Sequence, residues 1–209
     1  MPCCDSTVSN IKLRAVQQDS SIKVSENNLL EAYPGFTEKI GLPSIQAGVD
    51  SFEYRLWCPG RNGIINLIRI RYLGETWDIS ETLIWSHIPK YDFKKDDTIN
   101  HLLETVVDST RVRQLNPDIS VNRFIDSLQY YNLQEAPSNL EIRRSILLDT
   151  DSWRYTFEIA DSKHYRIIEY NCGEAISLVQ FHHSVEGLLR FLKRSLNVEF
   201  RDCFFNKSN

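Results

Sequence analysis

The clearest alternation of hydrophobic and polar positions runs from Trp153 to Leu196. Trp153, Tyr155, Phe157 and Ile159 occupy every second position, with Arg154, Thr156 and Glu158 between them. Side chains on a strand alternate faces, so this run predicts one apolar and one polar face. The short polar stretch Ala160-Asp161-Ser162-Lys163 suits a hairpin connection. His164 to Tyr170 reads as the return strand, broken by Asn171-Cys172-Gly173. Ser184 then reads as an N-cap, and Val185, Leu188, Leu189, Leu192 and Leu196 follow at helical spacing as one apolar stripe. Glu186 in the first turn and Arg190, Lys193 and Arg194 toward the end complement the helix dipole. A hairpin and a helix that each carry an apolar face are expected to pack together.

Earlier in the chain the same signals predict a three-strand meander. Phe52, Tyr54 and Leu56 alternate with Glu53, Arg55 and Trp57, and Pro59 to Gly63 is a turn. Ile64 to Leu73 is apolar on both faces at its start, as in a central strand. After Gly74-Glu75, Trp77, Ile79, Leu83 and Trp85 form the inner face of a third strand, with Glu81 the exception. Asp97 is a start signal for a helix carrying Ile99, Leu102, Leu103 and Val106, and Ser120 for one carrying Val121, Phe124, Ile125 and Leu128. Leu140–Leu148 and Ile176–His182 read as further strands, and Val198–Phe205 closes the chain. The expected fold is α+β: an antiparallel sheet, or sheets, of meander and hairpin strands, with about three helices packed on one face. Residues 1–28 read as a polar N-terminal arm and residues 29–209 as one domain, with a subdivision near 90–118 left open.

One stretch resembles a known group. Phe124-Ile125-Asp126-Ser127-Leu128 leads to Tyr130-Tyr131-Asn132-Leu133. Asp151 to Glu158 and His164 to Tyr170 follow. This resembles small bacterial proteins, often lipoproteins, that have a helix ending in an aromatic pair, two strands and a leucine-rich last helix. The likeness covers about residues 120–196. It implies an α+β fold, with no assigned activity and no catalytic motif. The usual proline after the return strand is replaced by Asn171-Cys172-Gly173.

Composition narrows the classes. The net charge is −4, which argues against nucleic acid as a partner. No stretch reaches the roughly 20 apolar residues of a membrane-spanning helix. Any membrane association is therefore expected only through a lipid anchor. Cys3 and Cys4, followed by a polar tether, are the candidate attachment sites if the true start lies upstream, which would place the protein in the cell envelope. As written, the chain reads as cytoplasmic. The five cysteines fit no zinc spacing; Cys58, Cys172 and Cys203 read as reduced, half-buried packing residues, and only an exported chain would allow a Cys58–Cys172 disulfide.

The motifs for phosphate loops, dinucleotide binding, nucleophile elbows, zinc proteases and calcium loops are all missing, so neither a cofactor nor a metal is expected. The adjacent His182 and His183, even with His101 or Glu186 beside them, read as a pre-helix loop rather than a metal site. The loop acids Asp96-Asp97 and Asp149-Asp151 read as solvated. Cys172 is the candidate nucleophile, with His164 or His182 as its base. Trp57, on the face of Glu53 and Arg55, is the candidate partner-binding aromatic, against the reading of a second core layer under a helix. The leading expectation is a non-enzymatic module that binds a protein partner, such as an immunity- or inhibitor-type or envelope protein. The alternative is a hydrolase built on Cys172. Substrate, partner identity and oligomeric state are not encoded in any motif.

Overall fold

The computed structural model describes residues 37–46, 48–59, 64–87, 106–131, 133, 154–163, 165–171 and 179–201. The meander forms as three strands, β1 (Phe52–Pro59), β2 (Ile64–Tyr72) and β3 (Trp77–His87). Between β2 and β3 the chain reverses tightly, with Leu73 N donating to Thr76 O at 2.8 Å. Gly74 takes φ +86° there, a left-handed value that costs glycine no Cβ clash. A fourth strand, β4 (Val106–Gln114), pairs with β3. The hairpin of β5 (Arg154–Asp161) and β6 (Tyr165–Asn171) docks against the far side of β1. The result is one six-stranded antiparallel sheet in the order β4-β3-β2-β1-β5-β6. Two long helices, α1 (Val121–Tyr130) and α2 (Val179–Leu196), and a helical turn at residues 37–39 complete the described α+β chain.

Register decides what each face carries. Leu56 stands opposite Ile68 on β2 and Phe157 on β5, and Tyr54 opposite Ile70 and Ile159. These residues share one buried cluster with Ile79, Ile168 and Tyr170. Phe124 and Ile125 of α1 and the whole Val185-to-Leu196 stripe of α2 belong to the same cluster. Each large side chain buried there stabilises the fold by roughly 1.5–3 kcal/mol.

The second face is also covered, although its sequence is polar. Glu53, Arg55, Thr156 and Glu158 are all buried. A strap of residues 37–46 and 48–49 accounts for part of this: Ile40 and Leu42 pack against a small core of Trp57, Leu67 and Ile84. Pro43 O accepts a hydrogen bond from Arg55 Nη2 at 2.7 Å. The strap ends by tying Val49 N to Asp161 O at 2.9 Å. Gly48, at φ +92°, lets it come this close, because a Cβ there would lie 2.9 Å from the same carbonyl.

Buried charge on this face is offset by pairing. Glu53 accepts both arms of Arg69, at 2.6 and 2.9 Å, and Arg55 Nε at 2.6 Å. Burial pushes the Glu53 carboxyl up, but the hydrogen bonds and charges of Arg69 and Arg55 outweigh it and hold the carboxyl below its ordinary value.

Four expectations are corrected. Val106 starts a strand instead of closing a helical stripe; the earlier part of that stripe lies outside the described residues. The end of the expected Ile176–His182 strand is helical, because α2 begins at Val179. Ser184 therefore stands inside α2 rather than capping it. Trp57 is fully buried rather than exposed, beneath the strap, whose residues 37–39 are helical. Cys58 is a free thiol, as expected, and is fully rather than half buried. The expected arm at residues 1–28 and the Leu140–Leu148 strand lie outside the described residues.

Candidate functional site

β4 reads Val-Val-Asp-Ser-Thr-Arg-Val-Arg-Gln, with polar groups on both faces and no apolar stripe to bury. It is an edge of the described sheet and is exposed along almost its whole length. An edge strand leaves alternate N–H and C=O groups pointing outward. Among the described residues no backbone hydrogen bond reaches the outer side of β4. A bulge at Trp85/Ser86 interrupts its pairing with β3 near the β4 start, so the regular edge runs from Ser109 to Gln114. Val112 on this edge is 65% exposed, well above the usual fate of a β-branched residue on a strand.

Beside the edge, on the face of Leu56 and Ile68, lies a cleft of about 230 Å³ lined by Asn66, Glu81, Leu83, Arg111, Arg113 and Glu199. A second hollow of about 180 Å³ shares Asn66, Leu83 and Glu199 with it and adds Ile64 and Phe200. Glu81, 1% exposed, forms the charged floor. It stands across from Arg113 and accepts a hydrogen bond from its Nε, and Asn66 Nδ2 approaches at 3.3 Å. Asn66 Nδ2 also donates to Glu199 O, which fixes the far wall. Behind the floor, burial pushes the Cys58 thiol well up, the Glu81 charge adds to this, and Lys193 opposes it.

The two arginines differ in their surroundings. Arg113 is matched by Glu81 and reaches Asn197 O at 3.4 Å. Arg111 stands across from Leu83 and makes no hydrogen bond or ion pair among the described residues. On the second face Gln114 Nε2 donates to Asp78, which also holds Arg71. Burial pushes the Asp78 carboxyl up, and the Gln114 and Arg71 hydrogen bonds bring it below its ordinary value. β4 is thus anchored by side chains along its inner side and open along its outer side.

No family model, curated protein or solved structure matches the chain. The site stands on geometry alone.

The described residues among those singled out from sequence do not line this cleft. Trp57 is 0% exposed, and its Nε1 donates to Glu158 Oε2 at 2.6 Å, so it offers no surface to a partner. The same carboxylate accepts the Tyr165 hydroxyl at 2.8 Å. The backbones of His182 and His183 lie within α2, while their side chains lie outside the described residues. Cys172, His164, His101, Cys3, Cys4, Asp96-Asp97 and Asp149-Asp151 lie outside them as well. Glu186 pairs with Arg190 one helical turn away, at 3.5 Å. Among the described residues no group of three His, Cys, Asp or Glu side chains is spaced to hold a metal ion. Arg111 and Arg113 were missed by sequence reasoning. Their i, i+2 spacing places both on one face only once the segment is known to be a strand.

Proposed function

We propose that this protein is a binding module that takes an extended segment of a protein partner onto the outer edge of β4. The observation that carries this reading is the open Ser109–Gln114 edge, with Val112 exposed and Arg111 uncommitted. In strand addition the main chain supplies affinity and the alternating side chains supply specificity. The helices are inferred to lie together on the Leu56 face, a reading supported by the single cluster they share, and this leaves the β4 edge accessible from the side.

The test is a selection of short peptides on the purified chain, followed by N-methylation of each selected peptide at successive backbone positions. Strand addition requires alternate peptide N–H groups, so methylation at one parity should abolish binding and at the other should leave it nearly unchanged. Binding that ignores methylation, or a selection without binders, would overturn the proposal.

A further inference from the structure

We propose that the segment received by β4 is acidic, with a carboxylate taken by Arg111 at the mouth of the cleft and an apolar side chain beside Val112. The inference rests on the strand-addition reading and deepens it. It begins with register. The inner neighbour of Arg111 on β3 is Leu83, which offers no charge, and two residues on, Arg113 faces Glu81 and is paired with it. Glu199 lines the far wall of the cleft and makes no ion pair with Arg111. The guanidinium of Arg111 is therefore the uncommitted charge on this strip of β4.

An added strand sets its residues directly opposite those of β4, with successive side chains on opposite faces. The position opposite Arg111 falls on the cleft face, and the position opposite Val112 on the other. A carboxylate at the first position can accept two parallel N–H bonds from the guanidinium. An apolar side chain at the second withdraws the exposed surface of Val112 from water. A lysine in place of the carboxylate would set like charges directly opposite each other, which is unfavourable. A segment that alternates acidic and apolar residues meets both demands. The chain as a whole carries −4, so the attraction is local to this edge and weakens with salt over about 8 Å at physiological ionic strength.

The probes are two octapeptides capped at both ends, one alternating aspartate with valine and the other lysine with valine. Their binding is read by fluorescence anisotropy against the natural chain and against Arg111→Glu. The natural chain is expected to prefer the aspartate peptide by about tenfold or more. Arg111→Glu is expected to reverse the preference while keeping the natural melting temperature, because Arg111 holds no partner among the described residues. Equal binding of the two peptides, or a preference that Arg111→Glu does not move, overturns the acidic partner and leaves strand addition standing. Binding of neither peptide, together with a failed peptide selection, removes strand addition itself and this inference with it.

Discussion

The Cε1 atom of Tyr131 lies 2.6 Å from the point where a Cβ on Gly187 would stand. The ring at the end of α1 therefore rests on the bare backbone of α2. It lies 5.8 Å from Phe191, which stacks on Phe124 at 5.3 Å. In an open helix interior, alanine in place of glycine stabilises by roughly 1 kcal/mol. Here the added methyl enters the ring, so Gly187→Ala is expected to destabilise by about 1–3 kcal/mol. In a Tyr131→Ala background the same change should become stabilising. Urea unfolding of the four proteins in this cycle checks both signs, and a stabilising Gly187→Ala with Tyr131 intact would contradict the contact.

Glu53 is expected to set part of the acid limit of stability. Its folded-state pKa lies below its ordinary value, so its contribution is fully present above about 4.5 and is lost as pH falls through the folded value. Glu53→Gln leaves Arg55 and Arg69 facing a neutral amide in a buried site, at a cost of about 3–5 kcal/mol near neutral pH. The gap between the two proteins should close as acidification carries the pH below the lowered folded-state value. Denaturant melts across that range measure it, and a gap that stays constant with pH would remove the linkage.

Tyr54 offers a stabilising change. Its hydroxyl is buried and has no hydrogen-bond partner among the described residues, while its ring packs 6.3 Å from Phe157. Burial, with a smaller contribution from Cys58, pushes this hydroxyl well above its ordinary value. Tyr54→Phe keeps the ring and removes the stranded oxygen, and should raise stability by about 1 kcal/mol. A fall in melting temperature would show that the hydroxyl is satisfied in solution.

Cys58 is expected to be chemically silent in the folded chain. The thiolate is the reactive form, and burial and the Glu81 charge both disfavour it here. Iodoacetamide should spare Cys58 in the native protein, and labelling of Cys58 should appear with denaturant. Mass mapping that finds Cys58 modified at the rate of a free thiol under native conditions would refute its burial.

The parts of the fold legible in sequence were those where an apolar stripe had one place to go. Tyr54 and Leu56, Tyr155 and Phe157, and the Val185–Leu196 stripe all join the shared core, as their spacing implied. Glu81 was visible as the one charge on an apolar face, and its partner Arg113 was not, since that partner sits on a strand with no stripe. β4 was missed for the same reason: an edge strand solvated on both faces has no periodicity to read. Ser184 misled because a capping residue type is also tolerated inside a helix, and α2 in fact begins at Val179.

The sequence by itself determined the α+β class, the meander, the hairpin and the amphipathic last helix, because local alternation and helical spacing are properties of consecutive residues. Only the tertiary structure decided that β5 pairs with β1 across about a hundred residues of chain, that a strap buries Trp57 and its charged neighbours, and that Arg111 is left uncommitted beside an open edge. Those outcomes depend on which distant groups meet. Opposite charges and covering segments are matched by register and packing in space, and the order of residues along the chain does not record them.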